Sequence, residues 1–177
     1  MSTTAAARRP LELFSFPNPV NELAARSVAG GVLVMAALIL GLSATAGPGW
    51  LWLTPVLAYG FLARAAAGPT LSPLGQLATR VLAPRLGPAR LVPGPPKRFA
   101  QGIGAAVTTT TVVLVAFGQT VPAQVLLAVM IVFAALESVF ALCVGCRIFG
   151  ALMRVGLIPA ETCAACANVG LRSRQTV

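Results

Sequence analysis

The residues with chemistry in them are the cysteines, and all four lie in two identical pairs. Cys143-Val144-Gly145-Cys146 is followed, across sixteen intervening residues, by Cys163-Ala164-Ala165-Cys166. The resulting C-x2-C-x16-C-x2-C spacing falls in the range of four-thiolate metal sites. Four thiolates suit a closed tetrahedral zinc site, so Cys143, Cys146, Cys163 and Cys166 are the candidate ligands and zinc the candidate cofactor. Arg147 would offset part of the thiolate charge.

Two other readings compete. A C-x-x-C pair exchanges electrons when one thiol is acidified and accessible, so the pairs are also candidates for thiol–disulfide or sulfur-relay chemistry. The last apolar run is expected to continue as helix to about Cys146, however, which puts Cys143 near a helix C-terminus, where the dipole raises a thiol pKa. The third reading is that of small residues in a helix interface.

Composition narrows the setting. The chain has no His and no Asp, which removes imidazole-based triads and His-ligated zinc. Of its 177 residues 57% are hydrophobic and 10% charged, against about 25% charged in a water-soluble domain. The mean hydropathy is +0.86. The net charge of +9 does not indicate nucleic acid, because the basic residues sit between apolar runs rather than on a polar face.

The elements that must position the cysteines are membrane spans. The pattern predicts an all-α protein with four transmembrane helices, over about 27–46, 51–67, 102–118 and 122–146, inside one membrane domain covering 23–166. A polar tail, 1–22, precedes it and a basic tail, 167–177, follows. Asn21 is placed to cap a helix opening at Glu22. Ala44-Thr45-Ala46 mimics a signal-peptide cleavage site, but the apolar run is long and late for one. Gly47-Pro48-Gly49 makes a turn, with Trp50 and Trp52 at the interface. Ser72-Pro73 starts an amphipathic helix over 72–83, too short to span and expected in the headgroup layer, with Pro84 ending it. Pro93-Gly94-Pro95-Pro96-Lys97-Arg98 reads as a stiff basic strap before the third span.

Charge sets the orientation. Neither short turn, 46–49 or 118–122, carries Lys or Arg, while Arg80, Arg85, Arg90, Lys97 and Arg98 crowd the central connection. Basic segments stay on the cytoplasmic side, so both termini are expected there, in a plasma membrane with anionic lipids against those five residues. All four cysteines then face a reducing compartment that disfavours stable disulfides.

Glu137 lies inside the fourth predicted span, where a carboxylate needs a partner; Arg64 is the expected one and Arg26 the next. A pair fixing helix register is the plainer reading. A small transporter is the rival, with Glu137, Arg64 and the run Thr108-Thr109-Thr110-Thr111 in its path, although four consecutive threonines line no single helix face. A plain membrane scaffold is a further alternative.

Several stretches together resemble a bacterial, largely actinobacterial, membrane family known only as a domain of unknown function. They are Asn18-Pro19-Val20-Asn21 leading to Arg26, Gly68-Pro69-Thr70-Leu71-Ser72-Pro73-Leu74, Gly94-Pro95-Pro96-Lys97-Arg98-Phe99-Ala100-Gln101, and the two cysteine pairs with Ala167-Asn168. The resemblance covers nearly all of the chain after the first dozen residues. It implies association with thioredoxin-like or sulfurtransferase proteins, and it carries over no catalytic residue.

Overall fold

The computed structural model describes residues 16–163. Asn21, with its side chain accepting from the Leu23 amide, caps α1, Glu22–Thr45, as its position before Glu22 predicts. Val28, Val32, Ala36, Ile39 and Ser43 recur every three or four residues and are buried, while Val34 and Leu38 on the other side are exposed. A 3-10 turn, Pro48–Leu53, leads into α2, Thr54–Ala67. The central connection follows as α3, Pro73–Leu77, a π-helical turn, Ala78–Leu82, and α4, Ala83–Leu86. Then come α5, Gly94–Ala116, α6, Thr120–Phe140, and α7, Val144–Arg154. The one ladder among the described residues pairs β1, Val20–Asn21, with β2, Leu91–Val92, antiparallel.

Among the described residues α1, α5 and α6 are each long and apolar enough to cross a membrane, which marks a multi-pass membrane protein. Helix α1 packs on α6, α2 on α5, and α5 on α6. Small residues such as Ala36, Ala105, Ala123 and Ala134 lie in these contacts and let the backbones approach. Gly104 goes further: a Cβ there would overlap the Phe61 ring of α2. Val125, Val132, Val139 and Phe140 point outward, as they do where lipid is the solvent.

Three expectations are corrected. The predicted basic strap is the start of a helix. Gly94-Pro95-Pro96 puts proline in the first turn, where a missing amide costs nothing, and the Gly94 amide donates to Asn18 Oδ1 at 3.0 Å. The third helix therefore begins eight residues before the predicted 102. Ser72 caps the surface helix as expected, accepting from the Gly75 amide at 3.2 Å. Pro84 does not end that helix, because it falls in the first turn of α4, which runs to Leu86. The last apolar run, finally, does not continue as helix to Cys146. It stops at Phe140, with Ala141 left-handed at φ 55° and the Leu142 amide donating to Leu136 O at 3.0 Å.

Arg26 supports that stop. Its guanidinium donates to the Ser138 carbonyl at 3.1 and 3.2 Å and to the Val139 carbonyl at 3.2 Å, satisfying acceptors the helix end would otherwise orphan.

Two outcomes follow for the stability of the detergent-solubilised protein. Gly104→Val should destabilise by about 1–3 kcal/mol through overpacking against Phe61, whereas Gly102→Ala, which meets open space, should not. Ala141→Gly should raise the unfolding midpoint, because a non-glycine left-handed residue costs about 1 kcal/mol. Thermal unfolding followed by circular dichroism reads both.

Candidate thiol site

The break at Ala141 changes what the first cysteine pair is. Cys143 takes the cap position of α7, with extended backbone (φ −84°, ψ 106°), and its carbonyl accepts from the Arg147 amide at 3.1 Å. Cys146 lies in the first turn. The expected placement at a helix C-terminus is therefore reversed. The pair sits at a helix N-terminus, where the free amides and positive dipole end favour a thiolate.

Close packing holds this turn in place. A Cβ on Gly145, between the two cysteines, would come within 2.6 Å of the Ala100 side chain and 2.7 Å of its Cα. Glycine is what lets α7 cross α5 at that distance. Phe149 of α7 meets Phe99 of α5 edge to face, with ring centroids 5.6 Å apart. Lys97 lies three residues before Ala100, about one turn along α5, and so comes to the thiols.

Lys97 also supplies the second correction. Glu137 pairs with Lys97, Nζ to Oε1 at 2.6 Å, and not with Arg64 or Arg26. Sequence reasoning placed Lys97 among the exposed basic residues, yet it is buried, at 8% exposure, while Arg80, Arg85, Arg90 and Arg98 are exposed. Arg98 donates to the Ala65 carbonyl at 3.0 Å. Arg64 is buried elsewhere: Nε donates to Gln101 Oε1 at 2.9 Å, Nη1 to Ser72 Oγ at 3.1 Å, and the guanidinium lies 4.6 Å from the Phe61 ring centroid. A proline at the start of α5 was the signal that could have found Lys97, because it turns the strap into a helix with a buried face.

The electrostatics split the two thiols. Cys146 hydrogen-bonds to the Cys143 sulfur, and with the Lys97 charge this pulls the Cys143 thiol below its ordinary pKa, against burial and the Glu137 charge. The same hydrogen bond, then burial and the nearby Cys143 charge, push Cys146 up. The two sulfurs are thus pushed in opposite directions. Both are free thiols. They line a cleft of about 480 Å³ with Glu22, Lys97, Phe140 and Arg147. On its inner side Cys143 joins Glu137, Phe61 and Met130 around an apolar cavity of about 80 Å³.

The second cysteine pair does not complete a site with the first among the described residues. Cys163 is buried and disulfide-bonded, contrary to the expectation that a reducing compartment leaves it a thiol; Cys166 lies outside the described residues. No group of three or more Cys, Asp or Glu is placed to share a metal ion among the described residues. Cys143 and Cys146 are the two sulfur donors of this turn among the described residues. The threonine run bonds within its own helix. The Thr108 and Thr111 hydroxyls donate to carbonyls one turn back, Gly104 O at 2.7 Å and Val107 O at 2.8 Å.

A family described as a domain of unknown function, DUF4395, matches residues 20–154. The chain belongs to that family. The matched region contains Arg64, Lys97, Glu137, Cys143 and Cys146, and it ends before Cys163 and Cys166. No curated protein and no solved structure matches the chain.

The thiol geometry has a titration consequence. Alkylation by iodoacetamide, read at Cys143 by mass spectrometry, should rise with pH through a midpoint below the usual value near 8.5. In Lys97→Met the thiolate loses its positive neighbour, so the midpoint should move up and the rate at pH 7 should fall.

Proposed function

We propose that this protein is a membrane thiol–disulfide exchange factor in which Cys143 attacks and Cys146 resolves. The observation that carries this reading is the C-x-x-C turn at the N-terminus of α7, with Lys97 beside it. In the first step the Cys143 thiolate attacks a disulfide on a thioredoxin-like partner. A new S–S bond forms, the partner's S–S bond breaks, and the departing sulfur takes a proton. Cys146 gives up its proton and attacks Cys143, which releases the partner as a dithiol and leaves Cys143–Cys146 oxidised. Two electrons have passed from this chain to the partner, and run backward the same steps return them.

Both sulfurs line the cleft, and Lys97 and Arg147 in its wall favour a partner with an acidic rim. Four crossings make up the proposed topology: α1, the Pro48–Leu53 turn with α2, α5 and α6. Glu22, Val92, Lys97 and Arg147 meet at one cleft, so the start of α1, the central connection and the thiols share one end of the bundle. The positive-inside rule puts that end on the cytoplasmic side of a plasma membrane, with the exposed Arg80, Arg85, Arg90 and Arg98 toward anionic headgroups.

Trapping tests the reading. With an oxidised thioredoxin-like protein, Cys146→Ser should accumulate a mixed disulfide through Cys143, and Cys143→Ser should accumulate none. Equal trapping by both variants would reject the assigned roles. One tightly held zinc per chain, lost in Cys143→Ser, would replace exchange by a metal-binding function.

A further inference from the structure

Arg64 is the buried charge that the thiol chemistry does not use. It is 5% exposed, and its two hydrogen-bond acceptors, Gln101 Oε1 and Ser72 Oγ, are both neutral. The third donor nitrogen, Nη2, is buried with no hydrogen-bond partner. A guanidinium stays charged throughout the ordinary pH range, so burying one without an anion is costly. Glu137 acts on Arg64 only through space, because its bonded partner is Lys97. Counted over these three groups, Arg64 and Lys97 bring two positive charges and Glu137 one negative.

Beside Arg64 lies a cavity of about 60 Å³, between α1, the end of α2, the surface helix and α5. Its polar side chains are Arg64, Thr79, Lys97 and Gln101. Two are cations, one is an amide whose oxygen is already taken by Arg64 Nε, and one is a hydroxyl. Ala24 and Val28 close it from α1, and no carboxylate lines it among the described residues. A water there would find donors in excess of acceptors, whereas an anion accepts from all of them. Gly60 shapes the site as well: a Cβ there would stand 3.1 Å from Arg64 Nη1, so its absence lets the guanidinium lie across α2.

We propose that this cavity is a binding site for a small monovalent anion of halide size, held by Arg64 Nη2 and faced by Gln101, Thr79 and Lys97. The site is separate from the thiol cleft and stands whether or not the cysteines exchange electrons. Lys97 lines both cavities.

Chloride and bromide are the probes, with gluconate, too large for the cavity, as the control at matched ionic strength. In detergent, the unfolding midpoint of the full chain should rise with either halide and level off, and gluconate should give no such rise. Arg64→Met should lose the halide increment. If that variant fails to fold, Ala24→Val, which fills the cavity from α1 and keeps the guanidinium, should lose it instead. Cys143→Ala should keep it. Identical midpoints in halide and gluconate would overturn the proposal, as would an increment that survives in Ala24→Val.

Discussion

The contact on which the arrangement at the thiols depends is the buried pair of Lys97 and Glu137. A lysine in the first turns of a helix meets the positive end of the dipole, and a carboxylate deep in an apolar bundle meets no water. Each needs an opposite charge within reach. At 2.6 Å each offsets the other's desolvation, and the pair ties α5 to α6 at the end of the bundle where the thiols lie. Such a pair is weak evidence of added stability, because the desolvation cost rivals the attraction. Its consequence is positional: a cation is fixed beside Cys143 and cannot swing into solvent.

Around that cation the chain changes direction twice. Arg26 of α1 ends α6 by taking its last carbonyls, and Ala141 turns the backbone so that a new helix opens at Val144. A continuous helix through this region would have carried the cysteines past the bundle with their carbonyl ends free. The break instead presents the amide end of α7 to the sulfurs. Gly145 then allows α7 to rest on Ala100, which brings the cysteines into the field of Lys97. Acidification of one thiol thus draws on three elements distant in sequence.

The two buried cations have different tasks. Lys97 is compensated by a carboxylate and tunes a thiol. Arg64 is held by neutral groups and a ring face, and keeps a donor unspent. Arg64 sits in the last turn of α2, where the helix end favours a cation, so its own helix helps to hold it.

How much of this was legible from residues alone follows from what each signal depends on. The lipid setting, the caps at Asn21 and Ser72 and the membership of Cys143 and Cys146 in one turn rest on composition and short-range spacing, and the residues determine them by themselves. The end of α6 does not, because Ala141 carries none of the glycine or asparagine that marks a left-handed cap, and the stop is enforced by Arg26 from 112 residues away. The partner of Glu137 was likewise undecidable: Lys97 and Arg64 are equally basic in sequence, and only the crossing of α5 with α6 chooses between them. Periodicity and capping act over one or two helical turns, whereas the charge a carboxylate meets in a low-dielectric interior is set by which helices lie side by side.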